Sequence, residues 1–95
     1  MNDITAPLYR RAILDWLFEV GGEHNDDVLA MHLAQLGHRL ARRDVRAAIE
    51  WLAEQKLVQA EVLGPYTVAR ILPDGCDVAE GRLRIDGVHR FKTGE

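Results

Sequence analysis

A chain of 95 residues, 47% hydrophobic and 28% charged, has room for one compact domain and enough apolar side chains to fold it. Its formal net charge of −3 argues against a generic nucleic-acid binder, so any such contact must be a local patch. The apolar runs fall far short of the about 20 residues that cross a bilayer, no basic start leads into an apolar signal segment, and Cys76 has no cysteine to pair with. A reducing cytoplasm and no membrane partner are therefore expected.

The first helix is expected over Pro7–Val20, where Tyr9, Ile13, Trp16, Leu17 and Val20 recur at helical spacing and Pro7 suits a first-turn position. Gly21-Gly22 ends it. "EHNDD" (23–27) supplies a capping residue and first-turn acids for a second helix reaching Leu36. Leu29, Leu33 and Leu36 are its core stripe, and Gly37 is its stop. A third helix over Arg42–Gln55 buries Val45, Ala48, Ile49 and Leu52. "LVQAEVLGPYTVARIL" (57–72) is two apolar-rich runs split by Gly64-Pro65, the mark of a hairpin. Residues 73–81 form one or two helical turns opened by Pro73, and the tail alternates at Leu83, Ile85 and Val88 before losing its pattern. Residues 1–6 and 92–95 are expected as disordered ends of a single domain spanning 1–95.

Three helices, a hairpin, a short helix and a tail follow the order of a winged helix-turn-helix, a mainly helical α+β fold. In that architecture the third helix enters the major groove and the hairpin, the wing, lies along the backbone. Charge peaks in the corresponding place: residues 31–56 carry five basic and three acidic groups, net +2, whereas residues 1–30 are net −4. With its apolar stripe inward, the third helix turns Arg43, Arg46, Ala47, Glu50 and Glu54 outward. Arg42 falls on its flank and Arg39 precedes it. Recognition helices contact bases with their N-terminal residues, and arginine pairs with guanine O6 and N7 or with phosphate. The plainer alternative is a solvated face with an Arg46–Glu50 pair worth about a few tenths of a kcal/mol. The wing offers only Arg70, near Glu61, so weak or absent wing contacts are expected, with Tyr66 packing against neighbouring strands.

Elsewhere the chain offers little chemistry. His24, His32, His38 and His89 are scattered without zinc-site spacing. Nothing near Cys76 suggests thiolate activation, and no Ser/His/Asp grouping or phosphate-cradling glycine loop supports an enzyme. Trp16 joins the core stripe, and Trp51 is expected to pack near the hairpin. Leu14 and Phe18, one turn apart and opposite the core stripe, form a candidate homodimer contact unless the chain's own tail covers them.

Residues 37–63, "GHRLARRDVRAAIEWLAEQKLVQAEVL", resemble the "LG…S-R-D-x-V-R…L-x-W-L-A-E-Q-G-L-V" segment of small winged-helix, ArsR-like proteins of Mu-like bacteriophages and prophages. "LPDGCDVAEGRLRIDGVHR" is similar to the closing segment of the same group. The resemblance covers nearly the whole chain and implies a winged-helix fold and a phage origin, hence a bacterial host cytoplasm. This sequence departs from the pattern at Ala41, where a Ser or Thr cap is expected, at Lys56, where glycine is expected, and at Pro73, where a Thr cap is expected. The cysteine pair of ArsR-type metal sensors is missing, so no metal or cofactor is expected.

The expectation is thus a phage transcriptional regulator that binds double-stranded DNA through Arg39, Arg42, Arg43, Arg46 and Arg70, as a homodimer joined through Leu14 and Phe18. The alternative is a winged-helix protein–protein interaction module that does not touch DNA. For DNA binding, Arg43 and Arg46 should be open to solvent, beside the hairpin tip and not held by carboxylates. If they are instead buried at a subunit contact or held in a closed salt-bridge network, the interaction-module alternative takes first place.

Overall fold

The computed structural model describes residues 4–94. It contains α1 (Ala6–Val20), β1 (Glu23–Asn25), α2 (Asp26–Gln35), α3 (Arg42–Glu54), β2 (Val58–Leu63), β3 (Tyr66–Ile71) and α4 (Pro73–Ala79) in chain order. The strands form one antiparallel sheet in the order β1-β3-β2. The β2–β3 hairpin closes on the Leu63–Tyr66 pair around Gly64-Pro65. This is a small α+β domain.

The unexpected strand is β1. Glu23 pairs with Arg70 and Asn25 with Val68, so three residues read as a helix cap also form a sheet edge. A strand this short has no period to detect. Asn25 does both jobs, because its side chain accepts the Val28 N–H at 2.8 Å and caps α2.

Three helices end in the same way. Beyond α2, the Gly37 N–H reaches the Ala34 carbonyl and the His38 N–H reaches Leu33. After α3, Lys56 and Leu57 repeat the pattern onto Ala53 and Leu52, and after α4, Gly81 and Arg82 repeat it onto Val78 and Asp77. This doubly bonded ending requires a left-handed residue. Gly37 and Gly81 meet it at φ 94° and 84°, while Lys56 adopts φ 64° with a side chain.

The core gathers Ile13 and Leu17 of α1, Leu29 and Leu33 of α2, and Val45, Ile49 and Leu52 of α3, closed beneath by Leu57, Val58 and Ala69 of the hairpin. The stripes end earlier than their spacing suggests: Val20 and Leu36 are exposed. Leu14, expected on an open face, is 0% exposed. The cause is α4 and the tail, which cover the second side of α1. Arg11 donates to the Val78 and Ala79 carbonyls at 3.1 and 2.8 Å, which places its charge on the open C-terminal end of α4. Its Nε donates to Asp15 at 3.0 Å, and Asp15 in turn accepts the Thr93 N–H and hydroxyl at 2.8 and 2.7 Å.

Parts of the two ends expected as disordered are bonded into the fold. Ala6 is buried at the start of α1, and Lys92 pairs with Glu19 at 3.1 Å beside the bonded Thr93. Residues 1–3 and 95 lie outside the described residues. Trp51 packs away from the hairpin: the Arg10 guanidinium lies 4.0 Å from its ring centroid, and a Cβ on Gly87 would come within 2.6 Å of the ring. Among the described residues, no helix is long and apolar enough to cross a membrane.

Candidate nucleic-acid interface

The arginine-rich stretch becomes the turn before α3 and its first turn and a half. Ala41 has the extended backbone of a cap but no oxygen to offer, so no side chain caps the first N–H groups of α3. The arginines that follow do not act as one patch.

Arg42 and Arg46, one turn apart, converge on Asp26 at the start of α2. Arg42 Nη2 lies 3.4 Å from both carboxylate oxygens, and Arg46 Nη1 lies 3.5 Å from one of them. Asp26 is fully buried and also accepts the Thr67 N–H of β3 at 3.4 Å. Burying a carboxylate without partners is costly, and two guanidiniums and a backbone donor meet that requirement here. Asp27 adds a longer contact, 3.9 Å from Arg42 Nε. Each arginine side chain still keeps 40% of its surface in solvent.

Arg42 also ties the hairpin tip to α3. Its Nη2 donates to the Pro65 carbonyl at 3.0 Å, and its guanidinium lies 5.2 Å from the centroid of the Tyr66 ring. Tyr66 thus meets an arginine where a strand neighbour was expected. The tip itself is apolar, with Val62 and Leu63 exposed.

Arg43 is exposed and has no carboxylate within ion-pair distance among the described residues. Arg39, also exposed, lines a groove of about 710 Å³ between α1 and α3 whose α3 wall carries Asp44, Glu50 and Glu54. Arg70 lies on the solvent face of the sheet, bonded to Gln59 and sharing a shallow site with Glu23 and Glu61. Of the two residues expected to join a dimer, Phe18 is exposed and Leu14 is not.

Two expectations are therefore corrected. Arg46 is held by a carboxylate, because Asp26 needs a second counter-charge. Leu14 is unavailable to a partner, because α4 and the tail pack over it. The residue that sequence reasoning passed over is Asp26. It reads as an ordinary first-turn acid, and its partners lie 16, 20 and 41 residues away, beyond any local signal. The histidines do not converge: His24 and His32 flank Trp16, at 5.8 and 4.2 Å between ring centroids, while His38 meets Tyr9 and His89 meets Phe91.

The fold and the site define a small α+β domain with a partly neutralised arginine surface at the start of its third helix. Over 90 residues, 95% of this chain and 94% of the other, the sequence is 42% identical to the uncharacterized protein gp26 of Escherichia phage Mu. The chain belongs to the family of that phage Mu protein. No family model matches it. The crystal structure of AF1382 from Archaeoglobus fulgidus superposes with a TM-score of 0.62 over 82% of this chain and 80% of the other, at 17% identity, a likeness of fold alone.

Proposed function

We propose that this domain is a winged helix-turn-helix that binds duplex DNA, with α2 and α3 as the helix pair, the β2–β3 hairpin as the wing, and the N-terminal half of α3 facing the groove. The observation that carries this reading is the bridge from Arg42 to Pro65, which sets the hairpin tip beside the first turn of α3. Arg43, the next residue along α3, is exposed, and Arg42 and Arg46 each keep 40% of their side-chain surface in solvent while paired to Asp26. A clamped guanidinium loses less rotamer freedom on meeting a phosphate than a free one. The relationship to a phage Mu protein supports a phage origin, and the role we propose within a phage is regulation of its transcription. A homodimer would set two copies of α3 about 34 Å apart along one face of the duplex. Its contact would have to use Phe18 without Leu14.

A second reading, a protein interaction module, is favoured by the Asp26 network itself, which removes much of the positive charge from this face. The two readings separate in a salt titration. Binding to duplex fragments of the phage's own genome should weaken with salt at a log–log slope of about −1 to −2 per domain, the signature of one or two phosphates at about −0.9 each. Arg43→Ala should flatten that slope by about one. Arg70→Ala, already surrounded by Gln59, Glu23 and Glu61, should leave it unchanged. Equal binding by wild type and Arg43→Ala, or no binding at low salt, would hand the site to the second reading.

A further inference from the structure

The C-terminal half of α3 cannot serve a polyanion. Glu50 and Glu54 face outward there, Asp44 lies on the side towards α1, and all three are exposed without an ion-pair partner among the described residues. They line the groove of about 710 Å³, whose other wall is Tyr9 and Arg10 of α1 with Arg39 from the turn. Its base is apolar and low: Ala48 is buried, Leu40 and Trp51 are half-buried, and Ala47 adds almost no bulk. From Asp44 to Glu54 the α3 wall runs about 15 Å, close to three helical turns. A concave strip of that length, apolar along its base and acidic along its α3 edge, with Arg10 and Arg39 on the other wall, is complementary to a helix with one apolar face and a cationic flank turned to α3.

We propose that the groove between α1 and α3 is a docking site for a cationic amphipathic helix of a partner protein. A second copy of this chain does not fit the role. Among its described helices, Arg11 is buried, Arg10 is stacked on Trp51, and Arg42 and Arg46 are held by Asp26. Arg43 alone is open, and a single arginine gives no helix a cationic stripe. The groove begins at Asp44 in the first turn of α3 and adjoins the proposed DNA surface, so the two sites are told apart by their variants.

The test is a nuclear magnetic resonance titration of the intact protein with a synthetic helix of about three turns, made of leucine and lysine at helical spacing, and with the same helix carrying glutamate for lysine. The lysine helix should shift the Trp51 indole N–H and the Leu40 and Ala47 amides saturably, with the glutamate helix inert. Asp44→Asn with Glu50→Gln and Glu54→Gln should weaken binding about tenfold, through three small screened attractions. Glu23→Gln with Glu61→Gln and Asp74→Asn, an equal change of charge elsewhere, should not weaken it. Equal binding by both helices, equal loss in both triple variants, or no shift at Trp51 would overturn the proposal. So would a dimer in sedimentation that the groove variant dissociates, since the occupant would then be a second copy. DNA binding is read separately, through Arg43→Ala in the salt titration.

Discussion

Lys56 and Ala41 bracket α3 with two residues that local physics disfavours. A side chain at φ 64° crowds the following carbonyl, and the doubly bonded helix ending gives Lys56 no other conformation. Lys56→Gly should raise the free energy of unfolding by about 0.5–1 kcal/mol, the relieved strain outweighing the added entropy of the unfolded chain. Ala41 has the backbone of a cap, φ −68° and ψ 154°, without the oxygen. Ala41→Ser should add about 1 kcal/mol by accepting an N–H from the first turn. Chemical denaturation measures both. An unchanged midpoint for Ala41→Ser would mean that the serine oxygen does not reach those donors.

Between elements, Asp26 is the tie. It begins α2, receives two arginines from α3 and accepts an N–H from β3, so three elements depend on one carboxylate. Asp26→Asn keeps the shape but removes the counter-charge and leaves two neighbouring guanidiniums facing one another. A loss of about 2 kcal/mol is expected, in the range for hydrogen bonds to charged groups. On the proposed DNA-binding reading, the same variant should bind duplex DNA more tightly wherever it remains folded, because the charge released from Asp26 outweighs the lost pre-positioning of Arg42 and Arg46. Lower affinity in folded Asp26→Asn would show that the arginines need the clamp to be placed at all.

Across the whole molecule, Trp16 of α1 lies between His24 of β1 and His32 of α2, so a titrating ring sits where two helices meet. Burial lowers the pKa of His32 below its ordinary value, and nearby Glu19 only partly offsets this. The unfolded chain therefore takes up the proton at higher pH than the folded one. Stability is fully present above about pH 6.5 and falls as the medium is acidified through the lower folded-state pKa. Denaturation midpoints should drop between about pH 7.5 and about pH 5.5, and His32→Phe, which keeps the stacking on Trp16, should flatten that drop. An equal drop in the variant would assign the effect to other groups.

The helices, their stops and the hairpin are legible from the sequence because each rests on contacts within about four residues: apolar spacing, Asn25 as a cap, Gly37 as a stop, and Gly64-Pro65 as a turn. Lys56 belongs with them, since its backbone strain follows from its place after α3. What only the tertiary structure decided is which side chains remain available. Leu14 looks open on α1 until α4 and the tail arrive, and Arg46 looks free until Asp26, twenty residues earlier in the chain, is buried against it. A helix wheel carries no information about a third element's approach. A buried charge selects its partners through space, at a desolvation cost that no local pattern records.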